Sequence, residues 1–283
     1  MNRILPLSLK DSKQMAEKFI DIEKIIGEKN PRVLKWMPRF ILRYLKRILH
    51  EDEVNKAISE TKDIYGYDFC VNIINRFQIK VALEGTENIP KTGGAIFSCN
   101  HPLGGFDALA IIQDVNPIRS DIKFVVNDIL LNLHSLKGMF VGVNKHGTNT
   151  KESLEELNKL FESDQAVFVF PAGLVSRKKK GKVEDLEWKK TFVTRSKKFQ
   201  RDVIPVYIDG KLSNWFYGLA NFRKFIGIKA NIEMLYLVDE LFKQKNKTIT
   251  IKFGKPIPFS TFDKTKSDPE WADWVKKKVY EMR

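Results

Sequence analysis

From Gln78 onward, short apolar and β-branched runs alternate along the chain with stretches of helical periodicity. The runs fall at 78–83, 94–99, 122–126, 138–143, 166–170, 203–208 and 248–253. This alternation predicts an α/β fold, a largely parallel mixed sheet flanked by helices. One intervening helix is predicted over 149–162, where Asn149 and Glu152 stand near capping spacing, and a last one opens at Asp268-Pro269. Before Gln78 the period is helical throughout. Asp11 or Ser12 caps a first helix with Met15, Phe19, Ile22 and Ile26 on one face, and Asn30-Pro31 breaks it. The next segment, 32–50, separates a basic stripe (Arg32, Lys35, Arg39, Arg43, Lys46, His50) from an apolar one (Val33, Trp36, Met37, Phe40, Tyr44, Ile48), with Pro38 marking a kink. Two parts are expected: an N-terminal helical segment at 1–77, whose amphipathic stretch either associates with a membrane or packs its apolar stripe on the rest of the chain, and an α/β domain at 78–283.

Composition narrows the function. The 283 residues carry a net charge of +14, with 43% hydrophobic residues, enough to build a buried core. Such charge suits a phosphate backbone, but the basic residues are spread along the chain without zinc-finger spacing or an RNA-recognition signature, so no nucleic-acid partner is expected. Two cysteines are too few for a disulfide framework. The polar residues that follow Met1–Pro6 argue against a secretory signal, and no apolar run approaches the roughly 20 residues of a spanning helix. The expected location is therefore cytoplasmic, with any membrane contact peripheral and on the inner face. His50, His134 and His146 lack acidic or cysteine companions at ligand spacing, so no metal is expected.

The segment Asn100-His101-Pro102-Leu103-Gly104-Gly105-Phe106-Asp107 lies between an apolar run and a helical one. A His at a strand end and an Asp at a helix start can meet across a glycine turn; the carboxylate then fixes the imidazole tautomer and leaves the other ring nitrogen to take a proton from a hydroxyl. The plainer reading makes Asp107 a helix cap and His101 a turn residue. A second segment, Phe170-Pro171-Ala172-Gly173-Leu174-Val175-Ser176-Arg177, ends a strand in a turn followed by Ser and Arg that can hold an anionic or polar group. The run 177–182 reads as an exposed basic loop, with docking of an acidic protein or of a phosphate group as its functional alternatives. Trp215, Phe216, Tyr217, Phe222 and Phe225 either pack in the core or line an apolar ligand tunnel, core packing being the simpler account. Trp271 and Trp274 either dock inside or face lipid.

The order 85–94, then Asn100-His101 through Asp107, then Phe170-Pro171-x-Gly173, then Val203-Ile204-Pro205-Val206, resembles the glycerolipid acyltransferase family over roughly 78–258. The resemblance implies acyl transfer from a thioester, acyl-carrier protein or acyl-CoA as co-substrate without a further cofactor, to a lysolipid hydroxyl. His101 would be the general base and Asp107 its partner. Substrate contacts are expected from Asn100, Gly104, Gly105, Asn144, Lys145, Phe170, Pro171, Gly173, Ser176 and Arg177; the residues that hold the oxyanion are not set by the sequence, and backbone amides near Gly104, Gly105 or Gly173 have a suitable geometry.

Three departures stand out. Five residues rather than four separate His101 from Asp107. Ala172 replaces the family's Glu, and Arg177 lies two places beyond the usual Arg. Asn144 or Lys145 stands where a phosphate-binding Arg ends the intermediate motif, which weakens the case for a phosphomonoester acceptor. The variant pattern resembles a subgroup of bacterial aminolipid synthesis that O-acylates a lyso-aminolipid of the glycine or ornithine type. Lysophosphatidic acid acylation and non-catalytic lipid binding are the alternatives.

Overall fold

A computed structural model describes residues 18, 20–127, 130–131, 133–143 and 151–283. These fall into two compact units, one ending at Glu60 and one spanning Thr61–Arg283. The helical segment expected at 1–77 is thus divided, because its last helix packs within the second unit.

The first unit holds α1 (Ile22–Lys29), α2 (Pro31–Trp36), α3 (Arg39–Ile48) and α4 (Glu51–Glu60). The cap expected at Asp11 or Ser12, with Met15 and Phe19, lies outside the described residues. Asn30 accepts the Val33 N–H and Pro31 opens α2, so the predicted break doubles as a helix start. Pro38 separates α2 from α3 where a kink was expected. Glu51, 2% exposed, joins the helices by accepting the Lys18 ammonium at 2.8 Å and the Ile22 N–H at 3.2 Å.

In the second unit α5 (Gly66–Arg76) precedes β1 (Lys80–Glu84) and β2 (Ala95–Cys99). The chain continues through α6 (Gly105–Val115), β3 (Ile122–Asn127), β4 (Phe140–Val143), α7 (Lys151–Glu162), β5 (Ala166–Val169), β6 (Arg177–Lys179), β7 (Lys182–Glu184), α8 (Thr191–Phe199) and β8 (Asp202–Asp209). It ends with α9 (Asn214–Phe225), α10 (Leu237–Phe242), β9 (Thr248–Phe253) and α11 (Asp268–Glu281). Among the described residues seven strands form one sheet in the order β1-β9-β8-β2-β5-β3-β4. Every pairing is parallel except β8 with β9. The central strands β2 and β5 are buried along their whole length, the pattern of strands covered on both faces.

Ile96, Val167 and Val169 point into a core shared with Leu160, Phe192 and Val275 of α7, α8 and α11. The alternate residues Phe97, Phe168 and Phe124 stack their rings at 4.3 and 5.1 Å, and α5 meets α6 through Phe77 and Phe106 at 4.9 Å. Of the C-terminal tryptophans, Trp271 is buried and Trp274 packs partly against the same core, so both dock internally.

The run 177–182, expected as a loop, is instead the hairpin β6–β7 with its turn at Lys180-Gly181, both at positive φ. That is the geometry a two-residue hairpin turn demands, and the glycine was its sequence signal.

Arg119 knots the amino ends of the strands. Its buried guanidinium donates to Pro90 O (2.9 Å), Gly93 O (2.6 Å), Asp164 O (2.6 Å) and the Asp121 carboxylate (2.6 and 2.8 Å). The Arg119 hydrogen bond holds the Asp121 carboxyl below its ordinary range. Arg119→Ala is expected to cost about 2–4 kcal/mol in urea unfolding with little change in the acceptor KM, because the knot lies at the end of the sheet away from His101.

Candidate active site

The parallel strands β8, β2, β5, β3 and β4 end on one side of the sheet, the side where open α/β folds bind ligands. His101 follows the carboxyl end of β2, and Phe170 that of β5. The intervening turn sets Gly104 at φ 73°, ψ −128°, a conformation reserved for glycine. It absorbs the additional residue: His101 Nδ1 sits 2.8 Å from Asp107 Oδ2. The wider spacing therefore keeps the pair.

Asp107 is fully buried near the start of α6 and also accepts the Leu103 N–H (3.0 Å) and the Gly104 N–H (3.1 Å). Three donors converge on this carboxylate. Nδ1 thus carries the ring proton, and Nε2 keeps a lone pair. Burial nevertheless pushes the Asp107 carboxyl above its ordinary range, with His101 and the Leu103 amide opposing that shift. The native state then binds this proton more tightly than the unfolded chain does. Fold stability from this group is greatest at low pH and declines as pH rises through the raised value. The ionised carboxylate is held at the expense of the fold, as functional carboxylates often are.

The His101 ring stacks on Phe170 at 4.4 Å, and Phe170 continues the aromatic ladder to Phe124 at 6.3 Å. Phe170 is therefore a backing plate for the imidazole. Among the described residues no side chain hydrogen-bonds Nε2. Cys99, two residues earlier, is fully buried, and desolvation with the nearby Asp107 and Asp185 charges pushes its thiol far up; it offers no nucleophile.

Several expected acceptor contacts have other roles. Asn100 is buried and spends both ends of its amide on the backbone of β8, donating to Ile208 O (2.9 Å) and accepting the Ile208 N–H (2.6 Å). Ser176 is buried and donates to Asp185 Oδ1 at 2.6 Å. Arg177 is buried as well, ion-paired to Glu233 at 2.8 Å with its guanidinium over the Phe216 ring at 5.3 Å. Asn100 and Ser176 cannot reach an acceptor without breaking internal bonds, and Arg177, whose terminal nitrogens are bound to Val175 O and Glu233, keeps only a buried Nε without a partner among the described residues. Pro171 is buried, and its carbonyl accepts the Lys189 N–H. Of the three glycines, Gly104 donates its amide to Asp107 and Gly173 donates to Phe170 O at 2.9 Å. Gly105, exposed at the first turn of α6, keeps its amide uncommitted among the described bonds. Asn144 and Lys145 lie outside the described residues, as do Asn149 and His146.

Sequence reasoning missed Asp185. Its Oδ1 accepts the His101 N–H at 3.2 Å as well as the Ser176 hydroxyl, and its Oδ2 accepts the Trp188 indole N–H at 2.8 Å. The Ser176 N–H donates to His101 O at 2.8 Å, and the Asp185 N–H to the Tyr280 hydroxyl at 2.7 Å. The carboxylate thus ties the base's own backbone to Ser176 after the β5 turn and to Trp188 ahead of α8, and the Asp185 backbone reaches α11 through Tyr280. Nothing local marks it, since it follows a basic run in an undistinguished polar stretch.

A paired imidazole at the carboxyl end of a parallel sheet, beside an inert thiol, is equipped to activate a hydroxyl directly. The chain belongs to the acyltransferase family, whose pattern it matches over residues 24–283. It is 45% identical over 265 residues to a lyso-glycine lipid O-acyltransferase of Bacteroides thetaiotaomicron, covering 93% of this chain and 97% of the relative. A protein of the same description from Phocaeicola vulgatus is 44% identical, covering 93% and 95%. Among solved structures, the 1-acyl-sn-glycerophosphate acyltransferase of Thermotoga maritima aligns over 92% of both chains at 20% identity, with a TM-score of 0.47.

Proposed function

We propose that this enzyme O-acylates a lyso-glycine lipid, moving a fatty acyl group from an acyl thioester to the hydroxyl of the acceptor's 3-hydroxyacyl chain. The observation that carries the chemistry is the His101–Asp107 contact with Nε2 left open. The acceptor hydroxyl gives its proton to Nε2 as its oxygen attacks the thioester carbonyl carbon. The resulting tetrahedral oxyanion collapses, the C–S bond breaks, and the imidazolium returns the proton to the departing thiolate. Asp107 stabilises the imidazolium in between. The Gly105 amide at the start of α6 is the remaining candidate among the three glycines for the oxyanion. No acyl-enzyme is required.

The choice of acceptor is supported by the names of the two relatives and by Arg177. Buried, with its two terminal nitrogens taken by Val175 O and Glu233, this Arg does not present a guanidinium fork to a phosphomonoester. The donor is an acyl-carrier protein or acyl-CoA. A radiolabelled transfer assay with both donors, offering lyso-glycine lipid, lyso-ornithine lipid and lysophosphatidic acid, tests the proposal. Product from lyso-glycine lipid that vanishes in His101→Ala supports it, and preference for lysophosphatidic acid overturns the acceptor.

No helix among the described residues is long and apolar enough to cross a membrane. The enzyme instead meets its lipid peripherally, on the inner leaflet, through α2 and α3. Within the N-terminal unit Trp36 is 84% and Phe40 65% exposed, beside Arg43 and Arg47, the make-up of an interfacial helix. Trp36→Ser with Phe40→Ser is expected to weaken partitioning to anionic vesicles by roughly tenfold, read by vesicle sedimentation.

A further inference from the structure

The aromatic cluster of α9 does not all enter the core. Phe216, Tyr217, Ala220 and Arg223 face inward. Trp215 and Phe222 are each 58% exposed and Phe225 is 88% exposed, with Ile226 beyond them. Trp215, Leu219, Phe222 and Ile226 stand at i, i+4, i+7 and i+11, one continuous stripe on the outer side of the helix. A helix needs only one apolar face to fold onto its domain; this one has a second.

The charge around the stripe is predominantly basic. The basic hairpin β6–β7 packs against α9: Lys178 Nζ donates to Asn214 Oδ1 at 2.9 Å, and Asn221 donates to Lys178 O at 3.1 Å. That hairpin exposes Lys179, Lys180 and Lys182, and the loop after α9 exposes Lys229. The acidic residues between α9 and β9 do not offset them. Glu233 is buried and spent on Arg177 and Arg223, and Glu240 is buried and spent on Ser213 and Lys243. Asp239 pairs with Lys243 at 2.7 Å. Two copies docked through this face would bring like charges together.

The helix that carries the stripe is also linked to the active-site turn. Leu237, which opens α10, lies so close to the active-site turn that a Cβ on Gly104 would stand 3.4 Å from its methyls. Arg177, on the strand that follows Ser176, joins α9 through the shared Glu233.

We propose that the outer face of α9, Trp215, Phe222, Phe225 and Ile226 with the lysines of the β6–β7 hairpin, is a docking surface for an anionic bilayer that brings the lipid acceptor alongside His101. Aromatic side chains enter the headgroup boundary while the lysines meet anionic lipid. The role in acceptor delivery rests on the acyl-transfer reading above; the docking itself does not.

The test uses the full-length chain with Phe222→Ser and Phe225→Ser combined. Both positions are exposed, so the thermal unfolding curve should match wild type. Partitioning to vesicles of 7:3 zwitterionic to anionic lipid should weaken by roughly tenfold and should weaken for wild type as salt is raised. Transfer to acceptor embedded in those vesicles should fall in step, while transfer to a short-chain acceptor dissolved as monomers stays at the wild-type rate. Unchanged partitioning overturns the proposal. An equal loss on the monomeric acceptor also overturns it, by making the role structural, as does a loss confined to carrier-protein donors with vesicle binding intact, which makes the face a protein dock. If wild type binds vesicles through these residues yet acylates none of the acceptors, the docking surface stands and the acyl-transfer reading fails.

Discussion

His101→Ala is expected to slow acyl transfer by roughly 10²–10⁴-fold, the range over which positioned proton transfer contributes. The loss should appear in kcat with the acceptor KM little changed, because the imidazole acts on the proton that leaves in the transition state rather than on the resting lipid. The Leu103 and Gly104 amides still hold Asp107 in the variant, so the fold survives and the rate reports the base alone. Asp107→Asn separates the two roles within the pair. It keeps the shape of the turn but loses the negative charge that stabilises the imidazolium, and its rate should fall between wild type and His101→Ala. Steady-state kinetics on both variants, alongside their unfolding curves, checks the assignment. A His101→Ala enzyme of near wild-type rate would remove the imidazole from the mechanism.

Asp185→Ala is expected to lower both stability and rate, through one cause. It strips the acceptor from the Ser176 hydroxyl, the Trp188 indole N–H and the His101 N–H. Buried donors left without partners cost about 1–3 kcal/mol each before relaxation, so a loss of about 3–5 kcal/mol in denaturant unfolding is expected. The backbone that carries the base loses its tether at the same time, and a misplacement on the order of 1 Å is worth about 10²-fold in rate. Asp185 touches no reacting atom; it is a positioning residue. Asp185→Asn discriminates positioning from bulk destabilisation. It keeps the size and one acceptor oxygen, and should recover most of the stability while kcat recovers only in part. If kcat in the folded fraction of Asp185→Ala equals wild type, the carboxylate serves the fold alone.

Seven strand positions, the break at Asn30-Pro31, the separation at Pro38 and the His101–Asp107 pair were legible in the amino-acid sequence, because each rests on a local signal. Period-two or continuous apolar runs dictate strands, a missing N–H at proline ends a helix, and a glycine turn can close a contact between residues six apart. The strand pairings and most side-chain roles were settled by tertiary structure. Asn100 looked like a polar neighbour of the base and became a clamp on Ile208, 108 positions away. Arg177 looked like an anion site and found Glu233, 56 positions on. Ser176 was claimed by Asp185, which no local pattern singled out. A buried polar group must take whatever partner the fold brings to it, and long-range partners leave no trace in spacing. The two faces of α9 follow the same logic: its aromatic content was visible from composition, but only packing against Arg177 and Glu233 decided which rings turn inward and which meet solvent.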